Sequence, residues 1–142
     1  MPAKGAYSGC FACGMDNPGG LKLKFARQGD YMTTSFTPGE AYQGYPGVTH
    51  GGIIATIMDE VMAQFLFQAG TPVMTAKLEV RYRQAMPADR PTLYRARLTR
   101  DARRLFDLEA DAVGPSGEVF ATARGTYLPL PKEAIGEFYD QR

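Results

Sequence analysis

One histidine and two cysteines in 142 residues leave little material for several common chemistries. With His50 as the only imidazole, a Ser-His-Asp hydrolase has a single base available. Ser8, Ser35 and Ser116 stand in loop or strand, and none forms the G-x-S-x-G elbow that exposes a nucleophilic serine. Cys10 and Cys13 are too close in sequence for a disulfide to close a useful loop, so reduced thiols are expected. The pair resembles half a zinc site, but four ligands are the norm, and only pooling between two subunits would supply four thiolates. A thioredoxin-like role lacks its βαβ setting. The two thiols are therefore read as packing residues in the N-terminal loop, with no metal.

Long apolar runs are also missing. Nothing approaches the roughly 20 residues that span a bilayer, and the start MPAKGAYSGC lacks the apolar core of a secretory signal, so a cytoplasmic protein with no membrane partner is expected. Charge of one sign is absent too: 16 basic side chains face 15 acidic ones, which gives no net field to favour nucleic acid. The chain contains no internal repeats or low-complexity segments.

What is present fits one globular domain over 1–142, since 44% of residues are hydrophobic and 22% charged. Residues 1–20 read as an N-terminal loop, because CFACGMDNPGG is dense in turn formers. Leu21, Leu23 and Phe25 alternate with lysines, and Tyr31 to Phe36 is rich in β-formers, which predicts a hairpin about Gln28-Gly29-Asp30. Breakers between Thr37 and His50 predict a second ordered loop. From Gly52, apolar pairs recur every four residues until Gly70 and Pro72, which predicts one long helix. Its stripe is wide enough that the helix must be buried on more than one side.

Period-two alternation follows in four segments: Leu78 to Tyr82, Tyr94 to Leu98, Phe106 to Ala112 and Val119 to Leu128. Turn signals at Asp101-Ala102 and Gly114-Pro115-Ser116-Gly117 predict an antiparallel meander. The order ββ, helix, ββββ defines an α+β fold, in which a sheet curled around the helix would cover the wide stripe. Arg95, Arg97, Arg100, Arg103 and Arg104 read as a solvated strand face balanced by Asp101, Asp107, Glu109 and Asp111. The tail, 131–142, carries Phe138 and Tyr139 without a period and is expected to be a short helix or a frayed end.

The chemistry-bearing cluster is HGGIIATIMDE. His50-Gly51-Gly52 stands at the helix entrance, where unpartnered N–H groups and the positive dipole end favour an oxyanion. Two glycines let a carbonyl approach the main chain closely, although they would equally ease a tight turn. Asp59 falls inside the helix among Ile57, Met58, Val61 and Met62, where a carboxylate is expensive to bury unpaired. Spacing alone favours a solvated acidic face for Asp59 and Glu60. Eight residues of helix put Asp59 about 12 Å from Gly51 along the axis. If both act on one substrate, they must come from two antiparallel helices related by a two-fold axis.

HGG followed by Asp59 resembles the signature of the hotdog-fold acyl-CoA thioesterases. The lead-in YQGYPGVTH, the strand TAKLEVRYRQAMP and the N-terminal CFACGMDNPGGLKLKF resemble the branch related to phenylacetate-pathway and human acyl-CoA thioesterases, over most of residues 10 to 128. That resemblance implies a curved antiparallel sheet wrapped around one central helix, and hydrolysis of acyl-CoA or another acyl thioester. It implies that the Gly51 N–H polarises the carbonyl and that Asp59 of the other subunit acts as base or nucleophile. Thr75 would orient the water or the carboxylate, and His50 would anchor the loop or contact the thioester. Gln43 and Gly52 would lie near the substrate, and Met58 and Met62, core residues first, would help line an acyl tunnel. Coenzyme A enters as part of the substrate, so no separate cofactor is implied; one or two of the arginines would meet its phosphates. A homodimer or homotetramer with the site between subunits is the implied assembly. The alternative is a non-catalytic acyl-CoA-binding protein of the same fold, against which Asp59 argues.

Overall fold

The computed structural model describes residues 9–131; the predicted tail beyond them and Ser8 lie outside the described residues. Strand β1 (Ala26–Gln28) turns into β2 (Tyr31–Phe36), helix α1 spans Gly51–Gln68, and β3 (Val73–Tyr82), β4 (Thr92–Asp101), β5 (Phe106–Val113) and β6 (Val119–Pro129) follow. The six strands form one antiparallel sheet in the order β1-β2-β4-β5-β6-β3. α1 packs against β2 through β6. Nine of its side chains are buried, from Ile54 to Phe67, which accounts for the wide apolar stripe.

The β1–β2 hairpin closes on Gly29-Asp30, with Gly29 at φ +60°, the conformation a two-residue primed turn demands at its first central position. The expected first strand is shorter than its alternation suggested. Leu21 and Leu23 are buried, but their N–H groups bond to the carbonyls of Phe11 and Ala12, and Lys22 between them has φ +54°. That stretch therefore pairs with the N-terminal loop and joins the sheet only at Ala26.

The helix ends where Gly70 and Pro72 predicted. Thr71 N–H bonds to Leu66 O at 2.9 Å and Gly70 N–H to Phe67 O at 3.0 Å, with Gly70 at φ +100°, a Schellman closure that needs a left-handed residue. β4, β5 and β6 form the expected meander. β3 does not precede them in space: it crosses to the far edge and pairs with β6. Edge placement explains its exposure, Tyr82 being 51% accessible despite standing on the apolar side of the alternation.

On the outer face the arginine cluster is balanced as expected. Arg95 makes a bidentate pair with Asp111 at 2.9 and 2.7 Å, Arg97 pairs with Glu109, and Arg100 lies 3.9 Å from Asp107. These pairs run across the β4–β5 ladder, where opposite charges face each other in register.

Candidate active site

His50 caps α1: its Nδ1 accepts the Gly52 N–H at 2.9 Å, and its carbonyl accepts the N–H groups of Ile53 and Ile54. Gly52 thus spends its amide on the cap, and a Cβ there would lie 3.1 Å from that same Nδ1. The Gly51 N–H is left without a partner among the described residues, at the positive end of an 18-residue helix. Its carbonyl is fixed by Tyr82, whose hydroxyl donates to it at 2.7 Å. Removal from water raises the Tyr82 phenol, which favours the protonated, donating form.

Asp59 is half-buried and is not on a freely solvated face. Its Oδ1 accepts two hydroxyls, Thr75 Oγ1 at 2.8 Å and Tyr127 OH at 2.8 Å. Thr75 and Tyr127 are register partners on β3 and β6, so one rung of the sheet supplies both donors. A bulge directly after Thr75, between Thr75 and Lys77, re-aims the strand at that rung. Asp59 Oδ2 has no partner among the described residues, and no ion pair there involves this carboxylate. Burial, then the Asp59 charge, push Tyr127 far above the usual phenol range, so it stays a donor.

Tyr127 is fully buried, and its ring lies over Gly125, where a Cβ would stand 2.5 Å from Cε1 and 2.8 Å from the hydroxyl. Only glycine leaves that space. Sequence reasoning passed over Tyr127 and Tyr82 as strand residues. Their one signal was inward alternation with a phenol, which when buried has to find a hydrogen-bond partner.

The remaining expected site residues fall differently. Gln43 is half-buried in the loop before the helix, and its Oε1 accepts the Gly47 N–H at 2.9 Å, bracing that turn. Met58 and Met62 are both 0% exposed in the core cluster, so within one chain they present no surface to a ligand. A solvent-open groove of about 860 Å³ lies elsewhere, on the outer sheet face between Tyr31, Arg81, Arg83, Arg95, Arg97 and Arg124.

Glu60 also departs from the solvated face that spacing favoured. It packs under the N-terminal loop, where its carboxylate meets Cys10 and Cys13 and accepts from Gln64 Nε2 at 3.3 Å. Burial first, then the charge of Cys10, push it up to about 7, against hydrogen bonds from Cys13 and Gln64. Cys10 is drawn down to about 5, chiefly by the hydrogen bond from Cys13 and then, against burial, by main-chain N–H donors.

A single helix gripped by an antiparallel sheet, with a glycine pair at its entrance and a hydroxyl-clamped aspartate mid-helix, defines a hotdog-class protein. Residues 46–121, more than half of the chain, match the thioesterase superfamily, and the chain belongs to that family. It is 39% identical over 54 residues to human acyl-coenzyme A thioesterase THEM5, which is 38% of this chain and 22% of that protein. It is 38% identical over 72 residues to rat acyl-coenzyme A thioesterase THEM4, 50% of this chain and 31% of that protein. The matches thus cover about a fifth to a third of the curated relatives' length. The thioesterase superfamily protein RHA08564 superposes with a TM-score of 0.75 at 26% identity, over 81% of this chain and 60% of that one. A hypothetical thioesterase from Streptococcus pneumoniae TIGR4, crystallised with coenzyme A, shares the fold with a TM-score of 0.70 at 16% identity, over 76% of this chain and 85% of that one.

Proposed function

We propose that the protein hydrolyses acyl thioesters, with acyl-CoA as the substrate class, in a homodimer or homotetramer whose sites lie between subunits. The observation that carries this reading is the state of Asp59: one oxygen is held by two hydroxyls and the other has no partner among the described residues. A carboxylate with one oxygen oriented and one unengaged is prepared to take a proton from water, or to attack a carbonyl carbon itself. A thioester has a good leaving group and needs little else beyond a polarised carbonyl. The Gly51 N–H supplies that polarisation at the helix N-terminus.

In the base mechanism, Asp59 Oδ2 takes a proton from water as the oxygen attacks the carbonyl carbon. The oxyanion gathers on Gly51 N–H, and collapse expels the thiolate, which takes up that proton. In the nucleophilic mechanism, Oδ2 attacks the carbonyl carbon and expels the thiolate, and water then opens the mixed anhydride, releasing the acid and giving up the proton that the thiolate takes. Single turnover in ¹⁸O-water puts label in the Asp59 carboxylate when water opens that anhydride at Asp59 Cγ, whereas the base mechanism puts it only in the product acid; trapping of the acyl-enzyme by hydroxylamine identifies an anhydride opened at the other carbon.

Gly51 and Asp59 lie about 12 Å apart on one helix axis, so a shared carbonyl requires two copies. The β3 edge, ten residues long and without a strand on its outer side among the described residues, offers main-chain groups for that association. The test uses a panel of aromatic and aliphatic acyl-CoAs with a thiol reagent, and two variants. Asp59→Asn removes the base. Gly51→Pro removes the N–H at N1, where proline is well tolerated and where His50, at φ −61° and ψ 133°, already has the backbone a following proline requires. Each alone should lose nearly all turnover while folding normally. After subunit exchange an equal mixture should recover about a quarter of wild-type activity, one intact site in half of the dimers. Retained activity in Asp59→Asn rejects the carboxylate. A mixture as inactive as its components, with exchange verified, rejects the shared site. Binding without turnover across the panel would identify an acyl-CoA-binding protein instead.

A further inference from the structure

Two thiols and a carboxylate, from separate parts of the chain, converge on the side of α1 away from Asp59. The ligand atoms of Cys10, Cys13 and Glu60 all lie within 4.8 Å of one another. Tetrahedral coordination with bonds of about 2.0–2.3 Å places ligand atoms roughly 3.3–3.8 Å apart, so small side-chain movements would close the set on one ion.

The turn that carries the cysteines is shaped for this. Gly14 N–H bonds back to Cys10 O at 2.9 Å, and Cys13 N–H donates to Cys10 Sγ at 3.5 Å. A main-chain donor to a sulfur favours its thiolate and fixes its direction. Cys13 Sγ accepts from Gln64 Nε2 at 3.9 Å, and Gln64 Nε2 also donates to Glu60, so one amide ties the thiol to the carboxylate. Glu60 has no cationic partner among the described residues. Two soft thiols and one carboxylate brought this close together match the preference of zinc for sulfur with nitrogen or oxygen.

We propose that Cys10, Cys13 and Glu60 bind one Zn²⁺ per chain, with water or another outside group as the fourth ligand, and that the ion clasps the N-terminal loop to α1. The clasp fixes the helix turn that carries Asp59, since Glu60 follows it directly and points about 100° away around the axis. It is independent of the hydrolytic reading, because every measurement below is made without turnover.

The full chain, purified under reductant and stripped by chelator, is titrated with ZnCl₂ against a colorimetric zinc chelator, with thiol alkylation read by mass spectrometry. The expected result is one equivalent of zinc per chain, protection of both thiols from alkylation and a rise in Tm. Glu60→Gln should weaken zinc by more than the roughly 10–100-fold that loss of an outer-shell partner costs, with both thiols still present. Zinc no tighter than in Cys10→Ser/Cys13→Ser overturns the proposal. Half an equivalent per chain overturns it in favour of four thiolates pooled between two copies. Unchanged affinity in Glu60→Gln removes the carboxylate from the site and overturns the three-residue assignment. Recovery of the thiols as a Cys10–Cys13 disulfide from anaerobically prepared protein overturns it as well. Should a variant fail to fold, the wild-type stoichiometry still decides between one ion, half an ion and none.

Discussion

Gly125→Ala should damage this protein through Tyr127 and not through the strand that carries it. The added Cβ would sit 2.5 Å from Tyr127 Cε1, 2.8 Å from its hydroxyl and 3.0 Å from Cζ, distances at which the ring must move. Tyr127 is fully buried, so it has no open direction in which to tilt. Overpacking of this kind costs about 1–3 kcal/mol. Displacing the hydroxyl also breaks its 2.8 Å bond to the half-buried Asp59 carboxylate, worth roughly another 1.5 kcal/mol at the low end for a charged acceptor. The sum, about 2.5–4.5 kcal/mol, is a large part of the roughly 5–15 kcal/mol that holds a typical domain together. Tyr127→Phe isolates the second loss, since it keeps the ring and removes only the oxygen; it should cost about 1.5 kcal/mol. Urea unfolding measures both, as a lower midpoint at unchanged slope. The double variant should be less destabilised than the two single losses added together, because the hydrogen bond can be lost only once. Thioester turnover should fall in both single variants. If Gly125→Ala unfolds within about 0.5 kcal/mol of wild type and keeps full turnover, the ring does not lie over that glycine and the clamp on Asp59 is wrong.

Thr75→Val should lower turnover by about tenfold with little change in stability, because an exposed β-branched residue is kept and only the hydroxyl on Asp59 is lost, whereas Thr75→Ser should retain activity; steady-state kinetics compares them. His50→Ala removes the acceptor for Gly52 N–H and should cost about 1 kcal/mol in chemical unfolding, with His50→Asn restoring most of it as an alternative cap. A double-mutant cycle on Arg95 and Asp111 should give a coupling of only about 0.2–1 kcal/mol, shrinking as salt rises, since both side chains remain partly in water.

Much of this architecture was legible because it depends on periods. The four-residue recurrence from Ile53 to Leu66 specifies a helix, its width requires cover on several sides, and Gly70 with Pro72 ends it where the structure ends it. Alternation located β4, β5 and β6, and the facing Arg and Asp or Glu positions anticipated the ion pairs between β4 and β5. Where the sequence reading failed, a non-local partner had decided the outcome. Leu21 to Phe25 alternates like a strand, yet its backbone bonds go to Phe11 and Ala12, ten and more residues earlier. β3 follows the helix in sequence but pairs with β6 at the far edge, a choice that no local period encodes.

The candidate site divides in the same way. HGG and Asp59 are local features, and helix geometry alone sets their separation, which is why the proposed shared site calls for two copies. Composition and periodicity thus determined the elements and the place of HGG at the helix entrance, while Asp59 was singled out by the resemblance to a family signature, since spacing alone favoured a solvated face. Only the tertiary structure decided what surrounds that carboxylate: the Thr75–Tyr127 rung forms because β3 lies beside β6, and the phenol fits because Gly125 leaves room beneath its ring. It likewise turned Glu60 from a solvated face to the two thiols of a loop some fifty residues away. The physical reason is common to all of these: a side chain's own period tells which face it is on, whereas its partner across a strand or beneath a loop is chosen by the packing of the whole chain.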